Sequence, residues 1–152
     1  RGKEITGKSK NDEYFFVYTA EGKMGMIDRQ GKMVIPTKYS AIESIHNELM
    51  SASLTTKKME DGKWFFVNKK GDVVISGPFQ RTGSFNEGVC WVKKDNLWGL
   101  IDESGNWLIE PVTEVRPGNF NGPLARLNMA TFPETEYYYV NKSGSIIYNP
   151  TD

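Results

Sequence analysis

Residues 98–111 read WGLIDESGNWLIEP, and weathered copies of this stretch recur along the chain. MGMIDRQGKMVIP occupies 24–36, WFFVNKKGDVVIS occupies 64–76 and YYYVNKSGSIIYNP occupies 137–150. Each copy has an apolar run, a polar four-residue link ending in glycine, and a second apolar run. The four glycines are Gly31, Gly71, Gly105 and Gly144, spaced 40, 34 and 39 residues apart. A period in this range marks an architecture built from repeated supersecondary units.

The link carries its own mechanism. Its copies are Asp28 to Gly31, Asn68 to Gly71, Asp102 to Gly105 and Asn141 to Gly144. Asp or Asn at the first position and glycine at the fourth is the pattern of a type I turn. The side-chain oxygen caps a turn N–H, and the glycine takes the positive φ that follows. Such a turn with a glycine bulge is a common way to close a β-hairpin.

Upstream of the copies lie FFVY (15–18), LMSASL (49–54), VCWVK (89–93) and LARLN (124–128). Each unit therefore has three extended runs, here A, B and C. Run C reads MVI, VVI, WLI and IIY in the four copies. The pattern predicts an all-β chain of four tandem three-stranded antiparallel β-meander units, stacked as a repeat array in a single domain spanning 1–152. The units fall at about 12–40, 41–79, 80–115 and 116–152. The alternative is a small closed β-propeller-like ring. Its blades need four strands, and the links near Tyr39–Ile42 and Val112–Val115 are placed to supply a short extra one.

Alternation along run A separates Phe16/Tyr18, Met50/Ala52, Cys90/Val92 and Ala125/Leu127 from Phe15/Val17, Leu49/Ser51, Val89/Trp91 and Leu124/Arg126. The first set is apolar throughout and is assigned to the core face; the second is mixed. Cys90 is then a small buried hydrophobe. Run C is apolar on both faces, which predicts cover on both sides from neighbouring units. In run B, Gly25 and Gly99 interrupt a strand, so a bulky side chain from an adjacent strand is expected to pack there. Trp64 and Trp98 are expected to serve unit-to-unit packing.

These residues resemble the WG repeat, also known as the KWG-type repeat of bacterial proteins. The likeness rests on Trp98-Gly99, Ile101-Asp102, Gly105, Leu108-Ile109 and Pro111, and upstream on Phe85 to Val89. Only the third unit matches in full. The first has Met24 in place of the tryptophan, the second lacks the glycine, and the fourth has Tyr137-Tyr138. The resemblance implies tandem β-meander units, often in secreted or envelope-associated bacterial proteins, acting as scaffolds or interaction surfaces. It brings no catalytic motif with it.

Composition narrows the partners. The 19 basic and 19 acidic residues cancel, so nothing favours nucleic acid or an anionic membrane surface. No apolar run approaches the ~18 residues that a membrane-spanning helix needs. One cysteine precludes an internal disulfide. The chain opens on Arg1, which suggests a mature or trimmed chain whose signal segment has gone, and localisation leans extracytoplasmic: periplasmic, outer-surface or secreted.

The residues for chemistry are few. His46, the single histidine, is expected in a surface loop. One histidine and one cysteine make no zinc site, and the Asp-x-x-Gly links lack the run of oxygen ligands a calcium loop needs. No cofactor is implied. The acids Asp28, Asp102 and Glu103 belong to turns, while Glu48 and Glu87 begin run A. A glycoside hydrolase remains the enzymatic alternative. The expected function is a non-enzymatic interaction module or scaffold for a protein partner or for flanking repeats. The second choice is a carbohydrate-binding module. The candidate surface comprises Trp91 and Arg126, at equivalent run A positions, and Trp107 on run C, since interfaces favour aromatics and arginine.

Overall fold

The computed structural model describes residues 14–46, 49–54, 62–129 and 136–150. Among them the chain is all β and forms four small antiparallel sheets in sequence order. The first holds β1 (Tyr14–Tyr18), β2 (Met24–Asp28) and β3 (Met33–Tyr39). The second holds β4 (Ala41–His46), β5 (Leu49–Ser53), β6 (Trp64–Asn68) and β7 (Val73–Phe79). The third holds β8 (Arg81–Thr82), β9 (Val89–Lys94), β10 (Leu97–Asp102) and β11 (Trp107–Thr113). The fourth holds β12 (Leu124–Met129), β13 (Glu136–Asn141) and β14 (Ile146–Tyr148). The strands of each sheet lie side by side in chain order. The chain divides between Pro78 and Phe79 into two compact units, one holding the first two sheets and the other the last two.

The four B–C turns are near-identical, for the reason their residues dictate. The glycines sit at φ 86°, 88°, 86° and 87°. Each glycine N–H donates to the carbonyl of the Asp or Asn three residues back at 3.0 Å. One side-chain oxygen of that Asp or Asn accepts two further backbone N–H groups. Asp102 takes those of Ser104 and Asn106, both at 2.9 Å, and Asn141 takes those of Ser143 and Ser145, both at 3.0 Å. Asp28 and Asn68 do the same.

Two sheets exceed the expected three strands. The extra strand of the second sheet, β4, does come from the link after Tyr39. That of the third sheet is β8, at Arg81–Thr82; the link at Val112–Val115 supplies no strand of its own, because Val112 and Thr113 simply extend β11. Run C is also longer than three residues in the first three sheets. It continues through Pro36, Pro78 and Pro111. A proline breaks a central strand but is tolerated where no partner needs its N–H, and β3, β7, β11 and β14 are all outer strands.

That edge position also corrects the expectation that run C is covered on both faces. Ile35 is fully buried, yet Met33, Val73, Val74, Ile146 and Ile147 are exposed. At Gly99 the expected bulky side chain is present, the Trp107 ring of the adjacent strand, beside a close backbone approach; at Gly25 the close approach is mainly of backbone. A Cβ on Gly25 would overlap the Ile35 carbonyl oxygen. On Gly99 it would lie 2.7 Å from both the Ile109 carbonyl oxygen and the Trp107 ring. In both sheets the pairing to the outer strand shifts register at this point, so a β-bulge pushes the outer backbone over the glycine.

Pairing corrects the first unit by one residue. Met50, Cys90 and Ala125 pair with Val67, Ile101 and Val140, and the residue pairing with the equivalent Ile27 is Phe15, not Phe16. A slip of one residue exchanges the two faces of a strand. The Phe15/Val17 pair is therefore equivalent to Met50/Ala52. Call the face bearing Phe15, Met50, Cys90 and Ala125 the leading face, and the opposite one the trailing face.

Within each compact unit, the trailing face of one sheet packs on the leading face of the next. Met24 and Met26 join Met50, Ala52 and Val67 in one core, with Tyr14, Phe16 and Tyr18 against it. Val89, Trp91, Trp98 and Leu100 join Ala125, Leu127 and Val140 in the other. Run A is buried on both faces in the second and third sheets: Ser51 and Trp91, placed on the mixed face, are buried alongside Met50 and Cys90. The Cys90 thiol is pushed up to about 12 by that burial, which outweighs the backbone hydrogen bond from Gly83 and the charge of Arg116.

The turn glycines lock this stacking. A Cβ on Gly71 would overlap the Val34 carbonyl oxygen, and one on Gly144 would overlap that of Leu108. Val34 and Leu108 are the middle residues of run C in the preceding sheets, so within each compact unit the B–C turn of the second sheet of the pair seats on the outer strand of the first.

Candidate functional site

Stacking leaves the trailing face of the fourth sheet without a described neighbour. Register puts Arg126 opposite Tyr139, Asn128 opposite Tyr137, and Tyr139 opposite Tyr148. All of these side chains share one face. Arg126, Tyr137, Tyr139 and Tyr148 are exposed, Tyr148 to 53%. The Arg126 guanidinium lies 4.5 Å from the centre of the Tyr137 ring. Tyr139 and Tyr148 meet edge to face, with centroids 6.1 Å apart and planes at 65°. The remaining neighbours, Leu124 and Asn128, are half-buried. The result is a rigid, amphipathic patch: apolar ring area held by β-strands, one cation and a row of phenolic hydroxyls. Rings with few rotatable bonds and an arginine fork are what protein-binding surfaces use.

The three residues expected to form one surface lie in three places. Arg126 is on the exposed face just described. Trp91, expected to point outward, is buried between the third and fourth sheets and stacks on Phe120, with centroids 6.0 Å apart and planes at 12°. Trp107 is half-buried on β11, with its ring over Gly99 and edge-on to Phe79 at 6.3 Å. Trp98 is buried as expected, with Arg116 5.1 Å from its ring centre. The tyrosines were the missed part of the site. Their signal was present in YYYVN, where the second unit has WFFVN: hydroxyl-bearing rings replace the apolar aromatics at both trailing-face positions.

A second face without a described neighbour lies toward the other end of the sequence. The leading face of the first sheet forms a hollow of about 990 Å³ lined by Phe15, Val17, Ile27, Met33 and the Asp28–Gly31 turn, among others. Among the described residues Gly31 has open space where a Cβ would sit.

The acids have structural work. Burial opposes ionisation of Asp102, but the N–H groups of Asn106 and Ser104, the Asn106 amide and the Gly105 N–H outweigh it and hold the carboxyl below its ordinary value. Glu87, at φ 50°, pairs with Lys142 across the third and fourth sheets, and that ammonium also sits 5.7 Å from the Phe120 ring centre. His46, expected in a loop, ends strand β4 opposite Leu49. Glu48 lies outside the described residues. Among the described residues no three His, Cys, Asp or Glu side chains are grouped so as to hold a metal ion, and no helix is long and apolar enough to cross a membrane.

Comparison with known proteins agrees with this architecture. The model of the WG containing repeat matches residues 24–50, 64–98 and 98–112. No curated protein matches the chain. A solved structure described as the crystal structure of the eukaryotic initiation factor resembles it with a TM-score of 0.55 at 14% identity. The likeness covers 95% of this chain and 43% of that one, and at this identity it is a likeness of fold alone.

Proposed function

We propose that this chain, which belongs to the WG containing repeat family, is a non-enzymatic module that binds protein through the trailing face of its fourth sheet. The observation that carries the reading is the exposed cluster of Arg126, Tyr137, Tyr139 and Tyr148, at positions whose third-sheet equivalents, Trp91 among them, pack in the core between the third and fourth sheets. A face that could have been closed like the trailing faces of the first and third sheets instead presents rings, hydroxyls and a guanidinium to solvent. Three of the acids a hydrolase could use have structural roles, as turn caps at Asp28 and Asp102 and as the partner of Lys142 at Glu87.

Sugar binding by the same rings is the weaker reading. A sugar ring seats on a flat aromatic platform, and Tyr139 and Tyr148 are inclined at 65°. The family resemblance favours a bacterial envelope or secreted setting, which fractionation of the source cell would check.

A photo-reactive phenylalanine derivative in place of Tyr148 tests the binding face. Protein adducts are expected, and Arg126→Glu should remove most of them. Adducts with glycan alone, or with nothing, would overturn the reading.

A further inference from the structure

The two open faces are of the two kinds that mate inside the molecule. Each observed junction joins a trailing face to a leading face. Each also seats a turn glycine over the carbonyl at the middle of run C: Gly71 on Val34, and Gly144 on Leu108. Toward one end of the sequence Gly31, the equivalent glycine, meets nothing within 4 Å among the described residues. At the other, Ile147, the equivalent of Val34 and Leu108, is 55% exposed beside Ile146 and Tyr148.

We propose that these two faces dock on each other between two copies of the chain, head to tail. This rests on the reading of the fourth sheet's trailing face as a protein-binding surface and names its partner: the leading face of the first sheet of a second copy. The Asp28–Gly31 turn of that copy seats on the Ile147 carbonyl, and the rings of Tyr139 and Tyr148 enter the hollow lined by Phe15, Val17, Ile27 and Met33. Only glycine fits such a seat, because a Cβ at Gly71 or Gly144 would collide with the carbonyl below it. Gly31, whose φ of 86° already calls for glycine, leaves such a seat open. The rim of the hollow carries Glu21, Asp28 and Arg29, a net negative charge to face Arg126.

Such a contact is heterologous, so it does not use up its own ends: each added copy presents a fresh face. The tyrosine hydroxyls and Arg126 make this junction wetter than the two internal ones. It is therefore expected to be reversible and to depend on concentration.

The test is sedimentation velocity on the whole chain from micromolar to millimolar concentration. Average mass should rise with concentration beyond a dimer. Tyr139→Glu/Tyr148→Glu blocks the tail and Met33→Glu blocks the head, all at exposed positions whose replacement leaves the core intact; melting midpoints near that of the unaltered chain verify this. Each variant alone should need at least a tenfold higher concentration to associate. An equimolar mixture of the two should form dimers and stop there, because only one head and one tail remain free. A constant single-chain mass for the unaltered protein, association of either variant at the original concentration, or a mixture that stays monomeric would each overturn head-to-tail docking. A chain that stays monomeric while the Tyr148 probe still traps a different protein overturns self-docking alone and leaves the binding face standing.

Discussion

Trp91 and Arg126 hold the same place in successive repeats and meet opposite fates. Both sit in run A of their sheets, and each accepts at its carbonyl an N–H from an upstream glycine, Gly83 at 2.8 Å and Gly118 at 2.9 Å. Yet Trp91 is buried against the fourth sheet while Arg126 is in solvent. The difference is not local. It comes from what lies behind each sheet: the trailing face of the third has a neighbour, and that of the fourth has none among the described residues. Repeat position sets backbone geometry, and place in the stack decides which side chains can afford to be polar.

Truncating the two residues breaks the comparison at its widest. Trp91→Ala removes a buried ring and is expected to cost about 3–5 kcal/mol, a large share of the ~5–15 kcal/mol typical of a whole domain. Arg126→Ala, at an exposed position, should stay within about 0.5 kcal/mol. Urea titration of both variants measures this; equal losses would mean the two faces are equally covered.

The turn glycines sharpen the same contrast on a smaller scale. Gly31→Ala meets only the φ penalty and should cost roughly 1–2 kcal/mol. Gly144→Ala adds a collision with the Leu108 carbonyl, and overpacking brings a further ~1–3 kcal/mol. Thermal melts should therefore rank Gly144→Ala below Gly31→Ala. The reverse ranking would dismiss the seating of turn on strand.

The smallest effect is a change in pH response. The Asp102 carboxyl titrates below its ordinary value when folded. Its contribution is present above the usual unfolded carboxylate range and is lost as pH falls through the lower, folded value. Asp102→Asn keeps the turn acceptor, as Asn68 and Asn141 do in their units, and removes that proton linkage. Its stability should match the parent near neutrality and fall less steeply between about pH 5 and pH 3.

Much of the fold was legible because turn chemistry is local. Asp or Asn with glycine three residues on dictates its hydrogen bonds without help from the rest of the chain, and all four turns form as their residues predict. Strand existence followed from the same punctuation. What was not legible depends on neighbours distant in sequence. Run C extends past its proline in the first three sheets, which is tolerated because the strand is an outer one. The one-residue slip in the first unit hid because FFVY is apolar in either register. Strand β8, two residues long, carries no periodicity to detect. The Asp95-Asn96 link between β9 and β10, at φ 52° and 68°, forms a tight hairpin turn of two residue types that tolerate positive φ. Of the site, Arg126 could be named from its repeat position, whereas Trp91 could not be told apart from it. Alternation separates two faces but does not say which of them another sheet will cover.

Photo-CIDNP NMR, which polarises only dye-accessible tyrosine and tryptophan rings, tests that division in one experiment. At a concentration where the chain is monomeric, Tyr137, Tyr139 and Tyr148 should polarise strongly, while Trp91 and Trp98 stay silent. Polarised Trp91, or silence from the three tyrosines, would contradict a stack that closes the third sheet and leaves the fourth open.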